Sequence, residues 1–134
     1  MISYLFDASS IVNLIKRGLV RPLANGVTID LVLYEALNAI WKEYKLIGGI
    51  DGDTALEYMD IISGVFEAVE ALSLRGSERE VFELAAREGL TVYDASYLYA
   101  AMKDGLTLVT DDQNLKDKAS KYVSAITTKD LTSK

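Results

Sequence analysis

Ile2-Ser3-Tyr4-Leu5-Phe6-Asp7-Ala8-Ser9-Ser10-Ile11-Val12-Asn13-Leu14-Ile15-Lys16-Arg17-Gly18 carries the pattern on which the fold turns. Ile2 to Phe6 reads as a short buried strand. Asp7-Ala8-Ser9-Ser10 turns the chain, and an apolar pattern at helical spacing runs to Ile15 before a basic end and a glycine stop. The unit is therefore strand, turn, helix, with a carboxylate at the junction.

The same alternation continues downstream. Pro22, the one proline, sits in a loop before a second strand at Val27 to Ile29, and a helix is expected from about Asp30 to Ile47, ended by Gly48-Gly49. Leu56, Met59, Ile62, Phe66 and Val69 recur at helical spacing, so a further helix is expected, capped by Asp53 or Thr54. Ala71 to Leu74 makes a third strand. Ser77 with Glu80 resembles a capping box opening a helix to Glu88, and another helix runs from about Tyr93 to Lys103, stopped by Gly105. Leu106 to Val109 is the fourth strand, Asn114 to Ser120 a helix, and Val123 to Ile126 a last strand. Short apolar strands alternating with helices predict an α/β fold, a three-layer α/β/α sandwich around a short, mainly parallel sheet. At 134 residues, half of them apolar, a single domain spanning 1-134 is expected.

Composition narrows the chemistry. The sequence has no cysteine and no histidine, which removes the thiol nucleophile, the imidazole base and the two commonest zinc ligands. Catalysis, if any, falls to carboxylates. The stretch Met1 to Asp7 has no basic segment before its apolar residues, which predicts no secretory signal, and no apolar run approaches the roughly 20 residues of a membrane helix. The expected location is the cytoplasm, away from membranes. A net charge of -6 is the wrong sign for binding nucleic acid over the whole surface, unless the acids are concentrated locally and neutralised by metal.

Asp7 and the pair Asp111-Asp112 lie just beyond the carboxyl ends of strands, the edge where open α/β sheets bind ligands. Asp94 lies near a helix start and Glu35 one turn into the long helix, and all four regions can reach one crevice. Each acid also has an ordinary reading. Asp7 and Asp94 are placed to cap helices, Asp111 and Asp112 to make a turn. Glu35 is aligned with Asn38, Lys42 and Lys45 as a solvated stripe.

Four blocks carry a resemblance to a known family. Phe6-Asp7-Ala8-Ser9, the helix Leu33-Tyr34-Glu35-Ala36-Leu37-Asn38-Ala39-Ile40-Trp41-Lys42, Tyr93-Asp94-Ala95 and Leu108-Val109-Thr110-Asp111-Asp112 resemble, in order and spacing, the motifs of PIN domains. The likeness spans essentially the whole chain, and is strongest to the VapC-type toxins of prokaryotic toxin-antitoxin pairs. It implies an endoribonuclease dependent on Mg2+ or Mn2+. It also implies a catalytic set Asp7, Glu35, Asp94 and Asp112, with Asp7, Asp94 and Asp112 on the metal, and Glu35 orienting or deprotonating the attacking water or completing the metal shell. Asp112 takes the fourth place because the family motif reads Thr, any residue, Asp, from Thr110; Asp111 falls on the variable position. Ser9 and Thr110 resemble hydroxyl positions that steady the metal's ligands, and Asn38 a polar residue beyond the glutamate. The resemblance further implies an RNA substrate, a homodimer and an antitoxin protein as partner. An inert PIN-like interaction module is the alternative.

Two other magnesium-binding α/β families fit less well. A phosphoryl-accepting receiver needs an aspartate ending a central strand and a lysine ending a later one, which Ala71 to Leu74 and Val109-Thr110 do not supply. A haloacid-dehalogenase phosphatase needs an aspartate where Ser9 stands. Lys16, Arg17, Arg21, Lys42, Lys45, Lys116, Lys118 and Lys121 are candidate phosphate contacts, and ordinary surface charge is the simpler reading for most of them.

Overall fold

The computed structural model describes residues 3–133. Five parallel strands form one sheet: β1 (Tyr4–Phe6), β2 (Gly26–Ile29), β3 (Glu70–Leu72), β4 (Thr107–Val109) and β5 (Ala125–Ile126), in the order β3-β2-β1-β4-β5. Every pairing among them is parallel, so the expected "mainly parallel" sheet is wholly parallel over the described residues. Ile2, the first residue expected in β1, lies outside them. Leu5, Phe6, Ile29, Leu108 and Val109 are buried, which is why these strands read as apolar runs without alternation.

Helices α1 (Ala8–Lys16), α2 (Val32–Trp41) and α3 (Gly52–Ala68) pack against one another. Helix α5 (Val92–Asp104) packs on α4 (Glu78–Glu88) and lies against β1, β2 and β4. With right-handed crossovers, the chain moves one way from β1 to β3 and back from β3 to β5. That puts α1–α3 on one face and α4, α5 and α6 (Gln113–Ala119) on the other. Ala95, Ser96, Tyr97, Leu98, Ala100 and Ala101 of α5 are all buried; the small side chains let this helix come close to the sheet, and Tyr97 supplies bulk.

Two local features explain the sequence at the site's base. Phe6 folds its ring over the start of β2, where a Cβ on Gly26 would sit 2.3 Å from that ring, so position 26 admits no side chain. Gly105 ends α5 at φ 64, the left-handed cap that glycine adopts without strain, and turns the chain into β4.

Several boundaries differ from those the sequence predicts. The cap of α3 is Asp51, whose carboxylate accepts the Thr54 N–H at 2.8 Å, rather than Asp53 or Thr54. Ser77 makes no side-chain cap bond to α4; the Glu78 carboxylate instead accepts the Gly76 N–H at 2.5 Å, so the expected capping box does not form. Beyond Trp41 the second helix widens into a π-helical stretch, Lys42–Ile47. Pro22 begins a 3-10 turn, Arg21–Asn25. A final helix, α7 (Thr128–Thr132), is opened by a capping box of Thr127 and Asp130; its five residues are too few for a periodic signal.

Candidate active site

The chain reverses its direction across the sheet between β1 and β4, the switch point at which α/β sheets open a crevice. Asp7 follows β1 directly. Its Oδ1 accepts the Ser10 N–H at 2.9 Å and the Ser9 hydroxyl at 2.8 Å, while Oδ2 accepts the Thr110 hydroxyl. Asp7 therefore caps α1, as its ordinary reading holds, and is also tied to the end of β4. It is only 4% exposed. Burial pushes its carboxyl from the ordinary 3.8 up to about 6, against the opposing pull of the hydroxyl and N–H donors.

Ser9 and Thr110 stitch the two strand ends together. The Ser9 oxygen accepts the Asp111 N–H at 3.0 Å, the Thr110 oxygen accepts the Asp112 N–H at 3.1 Å, and the two hydroxyl oxygens lie 3.4 Å apart. These bonds steer the adjacent acids apart. Asp112, exposed, accepts the Leu115 N–H at 3.1 Å and caps α6. Asp111 turns the other way: Asn13 donates to its Oδ2 at 2.7 Å, and Thr128 donates its hydroxyl to Oδ2 at 2.7 Å and its N–H to Oδ1 at 2.8 Å. These three bonds join α1 to α7 through Asp111.

Asp94 is in the first turn of α5, and Thr91, the cap, accepts its N–H at 3.1 Å. Asp94 is thus not itself the cap, and its carboxylate is left for the crevice. Its carboxyl is pushed up to about 6, first by burial and then by the negative charges of Asp112 and Glu35. Glu35, in the first turn of α2, is half-buried, unlike Asn38, Lys42 and Lys45, which are exposed. Its Oε1 accepts the Tyr97 hydroxyl at 2.6 Å. Burial, the bond to Glu35 and the charges of Glu35, Asp7 and Asp94 hold the Tyr97 phenol far above its usual range. Asp94, Asp112 and Glu35 thus lie within electrostatic reach of one another, and Tyr97 lies within reach of Asp7, Glu35 and Asp94.

The acids line the crevice without closing on a point: among the described residues no three acidic side chains converge as a ready ligand cage. Like charges that raise one another's pKa keep their distance unless a cation offsets them. The donor set is all oxygen, the set that suits magnesium or manganese. Sequence reasoning did not single out Tyr97, whose only signal was its place three residues beyond Asp94 on one helix. Nor did it find the Asn13 and Thr128 anchor of Asp111, which joins residues far apart in sequence.

Several of the candidate phosphate contacts are engaged within the chain. Lys16 pairs with Glu43 and Lys121 with Glu88. Arg17 donates to the Thr128 and Thr132 hydroxyls at 3.3 and 3.1 Å, and Lys118 to the Gly89 carbonyl at 3.1 Å. Among the described residues, no side-chain hydrogen bond or ion pair engages Arg21, Lys42, Lys45 or Lys116.

A parallel sheet with a carboxylate crevice at its switch point defines the class: a doubly wound α/β domain with an acidic site between β1 and β4. No family model matches the sequence. Exonuclease VapC9 of Pyrobaculum aerophilum is 36% identical over 119 residues, 87% of this chain and 86% of that protein. Ribonuclease VapC3 of the same organism is 35% identical over 91 residues, 68% of this chain and 69% of that protein. The crystal structure of PAE2754 from Pyrobaculum aerophilum superposes with a TM-score of 0.80 at 34% identity, covering 97% of this chain and 93% of that one. The chain belongs to the VapC-type PIN-domain family.

Proposed function

We propose that this chain is a metal-dependent endoribonuclease, the toxin of a toxin-antitoxin pair, acting in the cytoplasm with Asp7, Glu35, Asp94 and Asp112 as its catalytic set. The observation that carries the reading is the electrostatic conflict at the switch point. Two carboxyls, Asp7 and Asp94, are both pushed up to about 6, and Asp94 owes part of its shift to Asp112 and Glu35. A fold gains nothing from such an arrangement unless a cation or a substrate proton relieves it. The names of the relatives, one an exonuclease and one a ribonuclease, support nuclease chemistry.

Asp7, Asp94 and Asp112 would hold Mg2+ or Mn2+, directly or through water. When bound, such an ion lowers the pKa of its water and offsets charge on the phosphate oxygens. Asp7 is fixed by its three hydrogen-bond donors, so one wall of the crevice is rigid. Asp112 is fixed by its cap to α6. Glu35 stands on the opposite helical layer with Oε1 occupied by Tyr97, and its remaining oxygen orients the attacking water or takes its proton. No histidine exists to take that part.

The partner half of the reading is supported by exposed apolar surface at the end of α2 and along α3. Trp41, Tyr44, Leu46, Ile47, Leu56 and Met59 are all exposed, and Trp41, Tyr44, Leu56 and Met59 line one shared groove between α2 and α3; exposed apolar clusters of this kind mark interaction sites. This surface is available to an antitoxin or to a second copy of the chain in a homodimer. Among the described residues no helix is long and apolar enough to cross a membrane.

The test is cleavage of a circular single-stranded RNA with manganese and with EDTA. Linearisation only with metal, lost in Asp94→Asn, is the expected result. Trimming of linear RNA with the circle untouched would assign exonuclease action instead. No manganese binding by calorimetry and no cleavage would leave an inert module.

A further inference from the structure

We infer that Tyr97 is a positioning residue whose hydroxyl holds the Glu35 carboxylate in the crevice; the inference deepens the nuclease reading and rests on it. Glu35 and Tyr97 are 62 residues apart in sequence and come from helices on opposite faces of the sheet. The hydroxyl donates to Oε1 at 2.6 Å, the short contact of a charge-assisted bond. Among the described residues it is the only side-chain donor to Glu35, and none reaches Oε2. One carboxylate oxygen is anchored and the other is left for water.

Anchoring matters because Glu35 has an alternative. It sits on the stripe with Asn38 and Lys42, both exposed, and a free glutamate there has several rotamers that point to solvent. Tyr97 removes that freedom at little cost of its own. Its ring is 1% exposed, packed within the core, so its hydroxyl is placed by the fold rather than by the bond. The spacing adds a second consequence. Asp94 and Tyr97 are three residues apart on α5 and lie on one face of that helix, so one rigid element sets both a metal-site acid and the orientation of the acid opposite. Phenylalanine would fill the same core space without a hydroxyl to satisfy, so the hydroxyl is the part of Tyr97 that the contact to Glu35 uses.

The test compares wild type, Tyr97→Phe, Glu35→Ala and the double variant by two measurements. In the first, urea denaturation midpoints are taken in EDTA, where no activity is involved. Coupling is expected: removing the hydroxyl lowers the midpoint in the wild-type background and has a smaller effect once Glu35 is alanine. In the second, cleavage of a labelled single-stranded RNA with manganese is followed. Tyr97→Phe is expected to lower kcat roughly 10- to 100-fold with KM within about 2-fold, and the double variant to be no slower than Glu35→Ala alone. Additive midpoints overturn the contact, whatever the activity. If wild type cleaves, Asp94→Asn does not, and Tyr97→Phe keeps the full kcat, the positioning role alone is overturned. If wild type itself fails to cleave, the nuclease reading falls and takes the catalytic part of this inference with it.

Discussion

Replacing Asp7 by asparagine is expected to make the metal-free protein more stable while destroying its activity. Asp7 is buried, and its carboxyl titrates near 6 instead of 3.8. A shift of about two units corresponds to about 3 kcal/mol at roughly 1.4 kcal/mol per unit. The sign follows from linkage. Below pH 3.8 the carboxyl is protonated in both states and costs nothing; between 3.8 and about 6 the folded state keeps a proton that the unfolded state has released, so stability falls as pH rises through that window. Above it the full penalty is present. Asparagine keeps the shape. Its oxygen still accepts from Ser10 and Ser9, and Thr110, which donates to Oδ2 in the wild type, rotates to accept from the new amide. With the charge gone and the bonds retained, the gain should be on the order of 1–3 kcal/mol, which for a domain of this size raises the melting temperature by roughly 3–9 °C. Thermal melts in EDTA at about pH 5 and about pH 8 measure it: wild type should lose stability between them, and the variant should lose clearly less. Millimolar manganese should then raise the wild-type midpoint at the higher pH and leave the variant nearly unmoved. A variant that melts below wild type in EDTA at about pH 8, with an unchanged pH slope, would refute the idea that Asp7 is a buried charge in search of a cation.

Other expectations concern the neighbours. Asp94→Asn and Asp112→Asn should each reduce RNA cleavage roughly 100-fold or more, with weaker manganese binding by calorimetry. Asp111→Ala should do the reverse: three donors from Asn13 and Thr128 lose their acceptor, so urea denaturation should show a loss of about 2 kcal/mol while the rate per folded molecule stays within a few-fold. Asp51→Ala, at the start of α3, should lower the urea midpoint through the lost cap of α3, with cleavage unchanged.

The fold was legible because its signals are local and repeated. Each strand is a short apolar run, each helix a periodic one, and their alternation admits few topologies other than a doubly wound sheet. Failures fall where the signal is not local. Ser77 and Glu80 have the spacing of a capping box, yet Glu78, one residue into the helix, takes the Gly76 N–H and Ser77 stays buried without a cap bond. The helix α7 is invisible to periodicity at five residues. It is held by a capping box and by Asp111, an acid that spacing alone could not tell from Asp112. Of the candidate site, the positions of the acids were legible, because they follow strands or open helices. Tyr97 was not, because its meaning lies in what stands across the crevice.

For two of the acids, the helix cap and the proposed metal role draw on the same carboxylate. Asp7 caps α1 and Asp112 caps α6, the role that a lone aspartate before a helix most often has. The cap bonds leave room for the proposed role, because a carboxylate has about four acceptor sites, of which Asp112 uses one and Asp7 three. They restrict the side-chain torsions, and the positive end of α1 partly offsets the charge of Asp7. Asp94 reaches the same result by another route: Thr91 takes over the cap and frees the carboxylate entirely. Glu35 caps no helix; it projects from the first turn of α2. It is the one acid of the four whose placement depends on a side chain from the opposite layer, and that dependence is why the Tyr97 hydroxyl is expected to register in kcat.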